Sequence, residues 1–391
     1  MHTIEELLAY PEISDSELKE LLHNAVQIVE DDLPAFTNVF PHNSSLNHFY
    51  APSENVGWTT GFWTGEVWLA YEQTKDAKFK AVGDVHVQSF LDRVTNKVDI
   101  GHHDMGFLYS LSCVAAYQLT GNEDAKKAAI MAADALMLRF QEKGQFFQAW
   151  GELGAENNYR LIIDCLLNMP LLFRASEYTG DPTYREKAEA HIRTAMQYVI
   201  RQDHSTYHTY FFDPATGLPR KGVTHQGNRD GSAWARGQAW GVYGSALAYS
   251  VLKDPMYLDV FEKVTDFFLT NLPKDLIPYW DFDFTDGSTE PRDSSAAAIA
   301  ICGMLEMAKH LPEEKAALYT GLAKRLTKAL ADHCAVKNSK ESNGLLLHGT
   351  YCKSSPYNTC PNHGVDECTA WGDYFYMEAL TRLSKDWNPY W

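Results

Sequence analysis

The sequence has no run of about 18 apolar residues, so no membrane-spanning helix is expected. Its opening residues, MHTIEELLAY, carry neither a basic cluster nor an apolar stretch, so no secretory signal is expected there. Basic residues are scarce. The 34 Lys and Arg stand against 51 Asp and Glu, a net charge of −17. Such a surface repels nucleic acid and anionic membranes, and neither is expected as a partner. There is no CxxC pair among the seven cysteines, Cys113, Cys165, Cys302, Cys334, Cys352, Cys360 and Cys368. An odd, scattered set suits a reducing compartment, and a cytoplasmic location is the simplest reading. Three of them lie near His348 and His363, but the spacing matches no zinc module. Asp283 and Asp286 in DFDFTDGS lack the spacing of a calcium loop. GxSxG, HExxH, P-loop and dinucleotide fingerprints are absent from any fitting context. No metal and no cofactor is expected.

What is present is a large apolar fraction, 45% of 391 residues, and many aromatics: 21 Tyr, 19 Phe and 10 Trp. The length exceeds the usual ~100–200 residues per domain, yet no linker interrupts the pattern, so 1–391 reads as one domain. A recurring punctuation runs along the chain. An aromatic or aliphatic helix end, a short turn and a charged amphipathic start recur in AYEQTKDAKFKAV, AYQLTGNEDAKKAA, SEYTGDPTYREKA, YSVLKDPMYLDVFEK and MAKHLPEEKAALYT. Gly, Asn, Asp and Pro in these turns stop one helix and start the next, and Pro182, Pro255 and Pro312 lie near the first helical position.

The pattern predicts helices at roughly 16–31, 59–73, 76–95, 105–119, 122–140, 157–179, 181–202, 234–252, 255–272, 293–311, 313–335 and 366–385, to within about 4 residues. The first member of each pair is apolar all round, as in GQAWGVYGSALAYS. The second carries charge on one face, as in KAEAHIRTAMQYVI. Buried helices ringed by amphipathic ones make an all-α fold, an (α/α)6 toroid of six helical hairpins. Strand-like pieces such as TYHTYFFDP belong to loops. The loops that precede the inner helices are long and hold most of the notable His, Trp and Asp residues, so one rim of the ring is the functional face.

Two aspartates on that rim stand out. Asp104, in GHHDMGF, opens an inner helix and is either its N-cap or a functional acid. Asp164 lies in NNYRLIIDCLLNMPLLF, among Leu161, Ile163, Cys165 and Leu167. A carboxylate there is unfavourable unless paired or protonated. It is either a satisfied core acid or a catalytic acid whose pKa is raised by apolar surroundings and a second carboxylate, for which Asp104 is the candidate.

The stretch VTHQGNRDGSAWARGQAWG contributes Gln226, Arg236 and Trp240. Arg236 and Trp240, spaced i,i+4, share a helix face. Such a pair either packs within the fold or grips a sugar carboxylate and stacks on its ring. His208 lies on the preceding loop. Trp58 precedes an inner helix as a candidate stacking wall, whereas Trp63 and Trp68 read as core. Trp150 is a further rim candidate.

These motifs, in this order, resemble the unsaturated glucuronyl hydrolases of glycoside hydrolase family 88. The resemblance spans about residues 40–380 and rests on GWTTGFWTG, HHDMGF, the Asp164 segment and GSAWARGQAWG. It implies an (α/α)6 barrel that acts inside the cell on unsaturated uronyl di- or oligosaccharides released by polysaccharide lyases from glycosaminoglycans. By the same resemblance Asp164 matches the general acid/base and Asp104 the assisting aspartate. Trp58, His103, His208, Gln226, Arg236 and Trp240 match residues that hold the unsaturated uronate. Sulfate contacts in the family fall near a C-terminal loop, where Lys353, Ser354 and Ser355 lie here, and Ser354 joins Trp150 as a candidate substrate contact. The alternatives are an unsaturated rhamnogalacturonyl hydrolase acting on pectin fragments, an inverting (α/α)6 glycosidase on saturated sugars, and a non-catalytic sugar-binding protein.

Overall fold

The structure is a computed structural model that describes residues 2–354 and 360–391. A short helix α1 (Ile4–Leu8) precedes α2 (Asp15–Phe36). Then come α3 (Thr60–Thr74), α4 (Ala77–Thr95), α5 (Met105–Tyr109), α6 (Ala115–Thr120) and α7 (Glu123–Met137). The remainder are α8 (Pro170–Thr179), α9 (Pro182–Val199), α10 (Ala235–Leu252), α11 (Pro255–Thr270), α12 (Ser294–Ala308), α13 (Glu313–His333) and α14 (Ala370–Ser384).

Four of the hairpins share one two-residue device. Lys75, Gly121, Gly180 and Lys253 end their helices in the left-handed region, with φ of 58°, 70°, 76° and 56°. The next residue, Asp76, Asn122, Asp181 or Asp254, is extended, and its side chain accepts a backbone N–H of the following helix. A left-handed stop directly followed by an N-cap reverses the chain within two residues, which forces the helices to run antiparallel. Pro182 and Pro255 then occupy the first helical position.

The composition difference within each pair becomes a difference in depth. Residues Ser294–Met307 of α12 and Ala235–Ala248 of α10 are buried on every side. The charged helices α4, α9 and α13 bury one stripe only. Inner helices α3, α5–α6, α8, α10, α12 and α14 are thus ringed by α2, α4, α7, α9, α11 and α13, and α14 packs against α3 and α2 to close the circle.

Two features depart from expectation. The helix expected over 157–179 is helical only from Pro170. Its first half is a strand, Arg160–Ile162, followed by a 3₁₀ turn, Ile163–Leu167. The β-branched Ile162 and Ile163 and the pairing of Arg160–Ile162 with Thr209–Phe212 override the helical pattern. The inner helix over 105–120 is broken by a π-turn at Ser110–Val114. Trp63 and Trp68 lie in the core as read, and the TYHTYFFDP segment does form a short loop strand.

The inner helices approach through glycine. A Cβ on Gly61 would stand 2.2 Å from the Phe107 carbonyl, one on Gly106 2.3 Å from Asn168 Cα, and one on Gly303 2.8 Å from Tyr243 Cα. These are backbone atoms that cannot step aside. Gly303→Ala is expected to destabilise the fold by about 1–3 kcal/mol, read as a lower denaturant midpoint. An unchanged midpoint would mean the α10–α12 contact is looser than this.

Candidate functional site

Each inner helix is entered from a loop on the same rim, and the rim surrounds a cavity of about 190 Å³. Asp104 is at the N-cap position of α5, but its side chain makes no capping bond. Its carboxylate lies instead between two imidazoles, with Oδ2 3.2 Å from His102 Nδ1 and Oδ1 3.4 Å from His103 Nε2. Asp164 approaches from the 3₁₀ turn, with Oδ1 also 3.4 Å from His103 Nε2. Asn168 clips the two segments together. Its Oδ1 accepts the Phe107 N–H at 2.8 Å, and its Nδ2 donates to the Asp164 carbonyl at 3.4 Å.

The two carboxylates are driven apart in proton affinity. Burial, then the charge of Asp104, raises Asp164 well above the ordinary carboxylate range. Burial pushes Asp104 up as well, but His103, His102 and Arg93 outweigh it and hold Asp104 below its usual value. Burial lowers His103 to about 4, so at neutral pH the persisting effect on Asp104 comes from the His102 hydrogen bond and the Arg93 charge. Asp164 Oδ1 and His103 Nδ1 are buried with no hydrogen-bond partner in the protein. Groups of that kind carry an unmet demand that a ligand in the cavity can answer.

Trp58, Trp150, Gln226, Arg236 and Trp240 line the same cavity, as the sequence reading expects. Trp58 is stacked on Trp371 at 4.9 Å and donates its indole N–H to the Tyr351 hydroxyl at 3.0 Å, so its ring plane is fixed. Trp240 lines the cavity although it is 1% exposed.

Arg236 is more committed than the expectation of a sugar-carboxylate grip allows. Its NH1 donates to Asp293 and to the Thr350 carbonyl, and its NH2 donates to Gln226 Oε1 at 2.7 Å and the Tyr351 carbonyl at 2.5 Å. A bidentate pair with a substrate would have to replace bonds that already hold the rim together.

Two expected contacts lie outside the cavity lining. His208 is buried behind it, and its Nδ1 accepts the backbone N–H groups of His225 and Gln226 at 3.0 and 3.3 Å. Its place is to shape the loop that carries Gln226. Ser354 donates to the Gly227 carbonyl at 3.1 Å, Lys353 pairs with Glu290, and Ser355 falls outside the described residues.

His225, Trp234, Tyr351 and Cys352 also line the cavity and were not singled out from sequence. His225 and Trp234 belong to the same polar and aromatic stretch as Gln226 and Arg236, which was their signal. Tyr351 had none beyond its place in a long rim loop. Asp293, the buried partner of Arg236, directly precedes an inner helix, as Asp104 does.

Among the described residues, His103, Asp104 and Asp164 form the one group whose potential metal ligands lie close together, within 4.8 Å. The same closeness makes the two carboxyls an interacting pair in which the charge of one opposes ionisation of the other. In the DFDFTDGS loop, by contrast, the acids are taken by protein donors: Asp281 by Asn228 N–H and Ser232, Asp283 by Arg229, Asp286 by Lys274 N–H.

Known proteins resemble this chain over nearly its whole length. The chain is 48% identical over 389 residues to an unsaturated chondroitin disaccharide hydrolase of Streptococcus pneumoniae, covering 99% of this chain and 97% of the relative. A crystal structure of unsaturated glucuronyl hydrolase from Streptococcus agalactiae superposes with a TM-score of 0.95 at 45% identity, covering 100% of this chain and 97% of that one. A mutant of the same enzyme complexed with dGlcA-GalNAc6S superposes with a TM-score of 0.88 at 41% identity, with the same coverage. The profile of Glycosyl Hydrolase Family 88 matches residues 34–382, and the chain belongs to that family.

Proposed function

We propose that the chain hydrolyses unsaturated glucuronyl oligosaccharides released from glycosaminoglycans by lyases, with Asp164 as general acid/base and Asp104 as the carboxylate that tunes it. The observation that carries the reading is the pair itself: one buried carboxyl pushed up, the other held down, with the Asp164 Oδ1 unpartnered at the cavity. The streptococcal relative is named for unsaturated chondroitin disaccharide, and the Streptococcus agalactiae structure holds dGlcA-GalNAc6S.

The substrate is an enol ether, and one acid suffices for its chemistry. Protonated Asp164 delivers its proton to C4, and positive charge develops at C5 and the ring oxygen. Ionised Asp104 stabilises that charge across a short distance in a water-poor site. Water adds to C5 as the Asp164 carboxylate takes its proton, restoring the acid. The hemiketal then opens, and the glycosidic bond breaks without attack at C1. The separation of the two aspartates therefore carries no retaining-or-inverting meaning. Trp58 and Trp240 wall the sugar ring, while Gln226 and the Arg236 charge face its polar edge. A cytoplasmic setting, supported by the odd cysteine count, goes with this reading.

The deciding experiment follows the ultraviolet absorbance of the conjugated double bond across unsaturated chondroitin, hyaluronan and pectin fragments, beside a saturated oligosaccharide. Loss of absorbance with the glycosaminoglycan fragments, unaffected by a chelator, is expected. Turnover confined to pectin fragments or to the saturated sugar sinks the proposal, and inactivation by chelator assigns the His103–Asp104–Asp164 group to a metal.

Asp164→Asn is expected to lower kcat by about 10³-fold or more while the fold persists, because an amide cannot donate and then recover a proton. Its effect on stability has a sign. A carboxyl raised in the folded state favours folding while protonated, and that contribution is lost as pH rises through the raised value. The neutral amide avoids that loss, so the gain in melting temperature should be larger at pH 8 than at pH 4.

The alkaline limb of kcat/KM belongs to Asp164 and should lie above the ordinary carboxylate range. Asp104→Asn removes the second cause of the shift but leaves burial, so the limb should move to lower pH without reaching an ordinary Asp value. An unmoved limb in a folded, weakly active Asp104→Asn protein would show that the two groups do not communicate.

A further inference from the structure

Arg93 lies in the last turn of α4, an outer helix, yet it is buried. Its guanidinium reaches between two rim loops, the one that carries Trp58 into α3 and the one that carries Asp104 into α5. We propose that Arg93 is a positioning residue for the reaction: it locks these two loops to one another, so that the wall for the sugar ring and the assisting carboxylate keep a fixed spacing. The inference rests on the functional reading above.

All three guanidinium nitrogens are engaged. NH2 alone bridges the loops, donating to the Gly57 and Asp99 carbonyls at 2.7 Å each. NH1 donates to Asn55 Oδ1 at 3.0 Å and Thr60 Oγ1 at 3.3 Å, and Nε donates to the Val98 carbonyl at 3.2 Å. Asp99 adds a second tie between the same loops, its carboxylate accepting the Gly57 N–H at 2.6 Å. Gly57 directly precedes Trp58. The Asp99 carbonyl lies 3.1 Å from His102 Nε2, and His102 Nδ1 meets the Asp104 carboxylate. One nitrogen of Arg93 is thus bonded next to the stacking ring and, through Asp99 and His102, linked to the assisting acid. The second loop needs such an anchor. Lys97 and Asp99 take φ of 55° and 45°, a region that residues with a Cβ seldom adopt.

A strut needs only donors, whereas Arg93 also brings a charge. Its five hydrogen-bond acceptors are neutral carbonyl, amide and hydroxyl oxygens. Its one ion pair among the described residues, with Asp99 Oδ2, is long at 3.6 Å, and the Asp99 side chain is 48% exposed. A cation so placed is poorly compensated within the clamp, and Asp104 is held down partly by it. His102 and His103 on the same loop, Asp164 and Cys165 on the 3₁₀ turn, and Arg139 after α7 also act on Asp104 or feel its charge.

The test measures kcat, KM and the pH profile of kcat/KM on an unsaturated chondroitin disaccharide, together with the denaturant midpoint, for Arg93→Lys, Arg93→Met and Asp99→Ala. Lysine keeps the charge but donates from one point and cannot span both loops, so KM should rise about fivefold with the acid limb in place. Methionine removes the charge as well. Asp104 then loses support for its ionised form, so the acid limb should move to higher pH by about half a unit or more, while the alkaline limb, which belongs to Asp164, stays. Asp99→Ala alters a half-exposed side chain, so the fold persists, and loss of its tie to Gly57 should raise KM about threefold at an unchanged midpoint. A strut with no part in the reaction would lower the midpoint and leave KM and both limbs where they are, which overturns the inference. If Arg93→Met does not fold, the other two variants decide, and an unchanged KM in both overturns it. A wild-type enzyme that turns over the disaccharide keeps the functional reading in either case, whereas an inactive wild type loses that reading first.

Discussion

Everything in the site follows from taking the Asp164 carboxyl out of water beside a second carboxylate. In bulk solvent it would be ionised at neutral pH and useless as an acid toward carbon. Against Ile163, Cys165 and the closed ring of inner helices its charged form loses hydration, and Asp104, which approaches the same His103 Nε2, adds repulsion. Asp104 is held below its usual value because His103, His102 and Arg93 support its charge, so two identical side chains differ in proton affinity by environment alone.

Such a pair works only if its separation is fixed, and the scaffold fixes it through backbone. Asn168 bonds both to the start of α5 and to the turn carrying Asp164, and Gly106 lets those two segments touch. Below the site the ring is sealed. Phe107 packs against Trp58 and Trp240 above and Trp391 beneath, and Trp391 lies flat on Phe375. At that closed end Arg382 donates to Glu378, Glu306 and Tyr243, and Trp391 donates to Glu378. Every charge in this network has a partner, which is the condition for a buried ion cluster to be tolerated. The floor of the cavity is thus continuous with the plug of the barrel.

The rim is held by a different kind of tie. The Arg236 guanidinium joins α10 to Asp293 at the mouth of α12 and to the carbonyls of Thr350 and Tyr351. Its charge reaches Asp164, where it opposes the upward shift. A residue that the sequence left open between packing and a substrate grip is thus a structural strut, and its removal would leave Asp293 buried without its counter-charge.

The hairpin ring was legible from the chain itself because its signals are local. A left-handed stop followed by an Asp or Asn cap, and the contrast between apolar and amphipathic partners, lie within a few residues of one another. Asp164 was legible for a similar reason, since an acid amid Ile, Cys and Leu is anomalous wherever the chain goes, and Asp104 stood out at the start of an inner helix beside His102 and His103. What the sequence could not decide was distance. The strand that displaced half of the helix expected over 157–179 exists because Thr209–Phe212 pairs with it, some fifty residues away. Three of the four partners of Arg236 lie 57, 114 and 115 residues along the chain. The withdrawal of His208 behind the cavity and the entry of Tyr351 into it are likewise products of loops meeting across the rim. Periodicity and caps are written in neighbouring residues and survive without tertiary structure. Hydrogen-bond partners and burial come into being only when the ring closes.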